Sequence, residues 1–337
     1  MKKINNLERI DFVVTWVNGN DERWISKKGK YLKQIRPVQS MNSNSRYRDF
    51  DIFQYWFKGV ERYASWVNKI YLITDEQVPH WLSNMNNEKI ICLNHEDFIP
   101  KEYLPTFNSN VIELNLHRIE ELSDRFVLFN DDMFINDFVQ PTDFFKDGKP
   151  VDLYAESPII STSGSVANTM VNNMEVINQN FSKKEFYTNN FRKIFNLRLG
   201  SKLFRTLALL PSKNFSGMWN NHLPVPYCKD IFTKIWNVIP EELNQSCLHK
   251  FRTKSDYSHW LMRYWQLASG NFELQKNNFG QVYELGTVSN ESVKDEIIQG
   301  RHKTICLNDN DNVKDFDELQ KVLRESFESK YIIPKLF

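Results

Sequence analysis

The sequence predicts an α/β fold built on a mainly parallel sheet. Three observations predict it. Short apolar runs rich in branched and aromatic residues recur as strands at 10–16, 69–74, 89–93 and 126–129. Segments of helical periodicity separate them, which is the alternation of a parallel sheet. Three of the runs are followed by Asp75, Asn94 or Asn130. That lines polar groups along one carboxyl edge, where open α/β sheets bind their ligands.

The first run, IDFVVTW, reads as a buried strand, and Val17-Asn18-Gly19-Asn20-Asp21 as a polar turn. From 22 to 45 the chain is basic and rich in Ser and Asn, and reads as a mobile loop. Asp49 is placed to cap a helix in which Ile52, Trp56, Val60 and Tyr63 recur at helical spacing. KIYLIT and KIICL supply two more strands. A helix near 110–122 leads into the strand 126–129. Beyond residue 155 the pattern changes. Residues 156–200 are polar, with weak helical periodicity, and read as an insertion or lid. Residues 230–270 hold aromatic helix-like segments such as DYSHWLMRYWQLA. A last amphipathic helix, with Phe316, Leu319, Leu323 and Phe327 on one face, runs to Ser329, and Tyr331-Ile332-Ile333-Pro334 ends the fold.

Composition narrows the function classes. A chain of 337 residues has ample material for a core. The formal net charge is +1, so no global field points to nucleic acid. Cys92, Cys228, Cys247 and Cys306 lie far apart with no CxxC pair, which disfavours a zinc site or a disulfide framework and fits a reduced cytosolic setting. The N-terminus has no apolar signal region, and no run of about 18 apolar residues occurs, so a soluble protein is expected, with peripheral membrane contact left open. There is no P-loop, no GxGxxG after the first strand, no GxSxG and no HExxH, which disfavours a P-loop enzyme, a dinucleotide dehydrogenase, a serine hydrolase and a zinc hydrolase.

The segment FVLFNDDMFI at 126–135 carries the strongest chemical signal. An apolar strand stops at Asn130-Asp131-Asp132. Two adjacent carboxylates at a strand end are hard ligands suited to a Mg²⁺ or Mn²⁺ that also holds a diphosphate. The same residues equally favour a simple turn. Glu113 and His117, four apart on the preceding helix, are either an exposed pair or a polar face turned to the same cleft. His222 precedes Leu-Pro-Val-Pro, a stiff piece of chain that could hold an imidazole for proton transfer, or a structural histidine. Arg252, among aromatic and hydroxylic neighbours, is able to grip phosphate. The run Asn308-Asp309-Asn310-Asp311 reads as a turn or as a second source of metal or ribose ligands.

Taken in order, these motifs resemble the Stealth proteins, the sugar-phosphate transferases of bacterial capsule and surface-polysaccharide synthesis, which also include the animal N-acetylglucosamine-1-phosphotransferase. The matching blocks are IDFVVTWVNGND at 10–21, the long stretch from RYRDFDIFQYW through VIELNLHRIEEL to FVLFNDDMF, NNHLPVPY, and RHKTICLNDN. The resemblance implies one catalytic domain with a GT-A-like Rossmann core, a helical insertion and C-terminal helices. Within it, 8–155 form a nucleotide-sugar half, about 156–215 a variable insertion or lid, and 216–337 a second half that completes the site. It implies transfer of a hexose-1-phosphate or N-acetylhexosamine-1-phosphate from a UDP-sugar to a saccharide hydroxyl, with release of UMP. A GT-A glycosyltransferase that releases UDP is the alternative. Glu113, Asp132, His222 and Arg252 take the catalytic positions of the family. Asp131, Asp132 and Asp309 are candidate ligands for Mg²⁺ or Mn²⁺. Asp11, Trp16, Asn18, Asp21, Asn130 and Asn308 are candidate substrate contacts. The acceptor would be an oligosaccharide, carried in one version on a polyprenyl lipid at the cytoplasmic membrane face. The third block reads HLPVPY, which departs from the form seen in the animal enzyme and bears on acceptor contacts.

Overall fold

A computed structural model describes residues 9–35, 48–82, 88–162, 165–310 and 312–332. Four parallel strands carry the core: β1 (Ile10–Thr15), β2 (Ile70–Thr74), β3 (Ile90–Asn94) and β4 (Arg125–Asn130). A fifth strand, Val225–Cys228, joins β4 antiparallel. The order is β3-β2-β1-β4 and then Val225–Cys228. This is the Rossmann order, with its reversal of direction between β1 and β4. Register brings the strand ends together: Thr15 pairs with Ile73 and with Asn130, and Thr74 with Asn94.

The uninterrupted apolar runs follow from burial on both faces. Phe12, Val14, Leu72, Val127 and Phe129 point to one side, packed on the helix α2 (Phe53–Tyr63) and the C-terminal helix Phe316–Ile332. Val13, Tyr71, Ile73, Phe126 and Leu128 point to the other, packed on α3 (Ser109–Leu114) and the helices Ala167–Asn180, Lys229–Val238 and Trp260–Ala268. The segment after residue 155 is therefore helical, and Met174, Val176, Ile177, Phe186 and Tyr187 are part of the core. A small second sheet pairs Gly280–Glu284 parallel with Thr304–Asn308, which in turn pairs antiparallel with β5 (Met133–Ile135). Gly59 is where α2 meets β5: a Cβ there would lie 2.8 Å from the Ile135 carbonyl oxygen.

Three local expectations need correction. The loop expected from residue 22 is a helix, α1 (Glu22–Gln34), capped by Asp21, whose carboxylate accepts from the Trp24 amide. Trp24 is its one buried residue and meets Phe107 edge-on, so the exposed basic remainder shows little helical patterning in sequence. Residues 36–45 lie outside the described residues. Asp49 does not cap α2: its carboxylate accepts from the Asp51 amide at 2.7 Å in a tight turn. The helix near 110–122 ends at Leu114, because Asn115 bonds back to the Val111 carbonyl and the chain tightens over Leu116–Arg118. Of the terminal run, Ile333 and Pro334 lie outside the described residues.

Candidate functional site

The chain leaves the central sheet at Asn130 and enters the small sheet at Met133. Asp131 and Asp132 are the turn between the two sheets, so strands on both sides fix their position. The Leu307 amide donates to the Asp132 carbonyl oxygen at 2.8 Å, clamping this turn to the strand Thr304–Asn308. Asp132 Oδ2 lies 3.5 Å from His222 Nε2 and accepts from the Cys306 thiol at 3.3 Å. Asp132 Oδ1 is buried and bonds to no other described residue. Burial, with the nearby Asp132 and Asp49 carboxylates, pushes Asp131 up to about 8. Asp49 takes a hydrogen bond from the Trp16 side chain, and Trp16 stacks on Phe53 with centroids 5.7 Å apart.

This arrangement suits a divalent cation. A buried carboxylate oxygen without a donor, beside a second carboxylate whose charge is suppressed by its neighbours, gains from a positive ion placed between them. Among the described residues, ligand atoms of Asp132, His222 and Cys306 lie within 4.8 Å of one another, and with no ion bound, burial and Asp132 hold the Cys306 thiol well above its usual range.

His222 is held by strain and by stiffness. Its φ is +38°, a left-handed conformation that a branched or ring side chain rarely adopts. Such strain persists only where the surroundings enforce it, and it gathers at functional sites. Pro224 and the strand Val225–Cys228, paired with β4, follow closely on His222. Loss of solvent opposes a charge on the ring, but Asp132, Glu284 and Glu113 together outweigh it and raise the pKa.

Glu113 and Arg252 complete the cluster. Glu113 is buried, and desolvation pushes its carboxyl up to about 7 against the pull of Arg252, His222 and a hydrogen bond from Ser109. The Arg252 guanidinium donates to Ser109 Oγ at 2.6 Å. His259 Nε2 stands 3.7 Å from Glu113 Oε2, and its other nitrogen shares a 2.7 Å hydrogen bond with the Tyr227 hydroxyl. Asp256 joins the pieces from behind. It accepts from His249 Nδ1 at 2.8 Å, from the Thr253 hydroxyl at 2.7 Å and from Asn108 Nδ2 at 2.8 Å. Asn108 is the cap of α3, its side-chain Oδ1 accepting from the Asn110 backbone amide. One buried carboxylate therefore ties the loop of Arg252 to the helix of Glu113. His117, by contrast, faces away and packs on Phe232 and Trp236, so neither the exposed pair nor the shared polar face is formed.

The structure thus brings Glu113, Asp131, Asp132, His222 and Arg252 to one place, with Trp16 and Asn130 at its edge. Five other candidate residues are engaged with other partners. Asp11 is at the amino end of β1, the wrong end for the site, and its carboxylate accepts from Asn68, Lys69 and Ser123. Asp21 is spent as the α1 cap. Asp309 takes a two-point grip from Arg48, at 2.7 and 2.8 Å, in place of a position beside Asp132. Asn308 donates to Glu284. Asn18 is bound through its backbone to Gln77 and through its side chain to the Asn20 amide. Asp311 lies outside the described residues. Sequence reasoning passed over Cys306, Asp49, His259 and Asp256. A thiol in an apolar strand and an acid before a helix look structural in one dimension. The one available signal was DYSHW, where two ionisable groups interrupt an aromatic segment.

Comparison with known proteins follows the same blocks. Family models match in three places: Stealth protein CR1, conserved region 1, at 8–36; CR2, conserved region 2, at 46–152; and CR3, conserved region 3, at 221–267. "Capsular polysaccharide phosphotransferase WcwK" of Streptococcus pneumoniae is 44% identical over 328 residues, 97% of each chain. "Exopolysaccharide phosphotransferase cps2G" of Lactiplantibacillus plantarum is 39% identical over 323 residues, 95% of this chain and 94% of that one. Among solved structures, the galactosyltransferase LgtC in complex with donor and acceptor sugar analogues aligns with a TM-score of 0.42 and 9% identity, covering 96% of this chain and 98% of that chain. With relatives of this identity aligned along nearly its whole length, the chain belongs to the Stealth family.

Proposed function

We propose that this chain is a sugar-phosphate transferase of capsular or cell-surface polysaccharide synthesis. It moves a hexose-1-phosphate or N-acetylhexosamine-1-phosphate from a UDP-sugar to a hydroxyl of a saccharide acceptor and releases UMP. The observation that carries the reading is the His222 ring 3.5 Å from Asp132, on a backbone held at positive φ, beside the carboxyl edge of a Rossmann-order sheet. A base beside a metal-type carboxylate suits attack at phosphorus. The phosphotransferase names of the close relatives support the same reaction class.

In this reading the acceptor oxygen bonds to the sugar-bearing β-phosphorus. The bond from that phosphorus to the bridging oxygen breaks, and UMP leaves with the electron pair. His222 takes the acceptor proton, its basicity raised by Asp132. Arg252 balances charge on the transferring group, and Glu113 keeps the guanidinium in place. Asp132 and Asp131 hold Mg²⁺ or Mn²⁺, which when bound offsets the charge of the diphosphate. Trp16 and Asn130 border the nucleotide. We place the reaction at the cytoplasmic membrane face, where a nucleotide-sugar donor meets a polyprenyl-linked acceptor. Among the described residues no helix is long and apolar enough to cross a membrane.

The test is to screen UDP-sugars with Mg²⁺ and Mn²⁺ and identify the nucleotide released. UMP is the expected product. UDP would instead indicate ordinary glycosyl transfer.

A further inference from the structure

A cavity of about 310 Å³ opens beside the acidic site. That volume is within the range of small-ligand pockets. His222 lines it, but Asp131, Asp132, Glu113 and Arg252 do not. The imidazole stands 3.5 Å from Asp132, so His222 belongs both to the acidic cluster and to the wall of this second compartment.

The second compartment has the chemistry of a sugar site. Trp219, Asn220, Asn221, Asn277 and Gln281 contribute to its lining. Amide side chains both donate and accept, which matches ring hydroxyls. Its buried charges are already satisfied: Arg263 makes two hydrogen bonds to Asp152, at 2.7 and 2.8 Å. Two polar groups are not. Trp219 Nε1 is buried and bonds to no other described residue. Asn220 is committed to Tyr264 and Arg263, whereas the neighbouring Asn221 amide makes no hydrogen bond among the described residues. The Trp219 ring is itself fixed, with the Arg205 guanidinium 4.6 Å and the Lys202 amine 5.4 Å from its centroid. A rigid indole in the lining, next to an uncommitted amide and next to the base, suits a polyol. Displacement at phosphorus also needs its nucleophile and leaving group on opposite sides. A nucleotide in the carboxylate compartment and a hydroxyl entering from the cavity meet that condition at His222.

We propose that this cavity seats the acceptor saccharide and that Trp219 and Asn221 hold the ring whose hydroxyl faces His222. The proposal rests on the transferase reading above and adds the acceptor's location and its recognising groups. The test measures KM for acceptor and for donor separately, using the UDP-sugar and oligosaccharide pair that gives product with the wild-type chain. Removing the Asn221 amide by Asn221→Ala, or shrinking the indole by Trp219→Phe, should raise the acceptor KM about 3- to 10-fold. Filling the cavity with Asn221→Trp should raise it by at least about 10-fold. In all three the donor KM should stay within about twofold, which also reports that the variants are folded. An unchanged acceptor KM in Asn221→Trp, with UMP still formed, overturns the subsite alone. Formation of UDP in place of UMP by the wild-type chain overturns the transferase reading and the subsite with it.

Discussion

Asn108 donates to the buried carboxylate of Asp256 at 2.8 Å, and that contact links the two halves of the site. Asn108 caps the helix of Glu113, and Asp256 organises the loop of Arg252 through His249 and Thr253. Neither residue needs to touch substrate to matter. Asp256→Asn replaces one acceptor oxygen by a donor among five donor groups. It should cost about 2–4 kcal/mol of stability. A shift of Arg252 by even about 1 Å should lower kcat by about 100-fold. Urea unfolding and steady-state kinetics on the same variant check both effects. A variant destabilised to this extent but with wild-type kcat would show that Asp256 supports the fold and not the site.

Asp132 is the carboxylate on which the site depends. Asp132→Asn keeps the shape but removes charge beside His222 and one metal-type oxygen. Activity should fall by at least about 100-fold. Removal of divalent ions with a chelator should abolish turnover, and Mg²⁺ or Mn²⁺ should restore it. Thermal unfolding offers a second readout: either ion should raise the melting temperature of the wild-type chain and leave that of Asp132→Asn unchanged. An equal rise in both would count against Asp132 as a ligand.

Stability should depend on pH through buried histidines. Burial lowers His95 and His117 to about 4 and His259 to about 3. An unfolded histidine binds its proton near 6.5, so between about 6.5 and 4 the unfolded chain takes up protons that the folded chain refuses. The stabilisation is complete above that window and is lost as pH falls through it. Glu113 works in the opposite sense. Its folded carboxyl titrates at about 7, so its folded-state penalty is present at high pH and is relieved as pH falls below that value. Asp131, held up at about 8, and His222, raised by Asp132, act in the same sense as Glu113, so the histidine contribution is isolated by substitution. Urea unfolding at pH 7 and pH 5 measures it: on acidification His117→Gln should lose less stability than the wild-type chain.

Asp21 separates a cap from a substrate contact. Asp21→Ala should lose about 1 kcal/mol, while Asp21→Asn, which keeps a capping oxygen, should lose little. Thermal unfolding distinguishes them, and the donor KM should be unaltered by Asp21→Asn. A large rise in that KM would return Asp21 to the substrate.

What could be read in one dimension follows a simple division. The strands were legible because both sheet faces are buried, so Val13-Val14 and Phe126 to Phe129 stay apolar without interruption. The acidic pair was legible because it ends such a run. The α1 helix was not, since only Trp24 along it is buried. Roles set by partners distant in sequence were also hidden. Asp11 and Asp309 look like edge-loop acids until Ser123 and Arg48 are seen to occupy them, 112 and 261 positions away. Cys306 meets Asp132 only because β5 pairs with Thr304–Asn308.

The central claim is attack at the β-phosphorus, and the fate of that atom decides it. A UDP-sugar labelled with ³²P in the β-phosphate should be incubated with the chain, the divalent ion and the oligosaccharide acceptor, and the saccharide and nucleotide fractions counted. The account predicts that the label moves into the saccharide as a phosphodiester and that the released nucleotide is unlabelled UMP. Label retained in UDP, with an unlabelled sugar added to the acceptor, would contradict it.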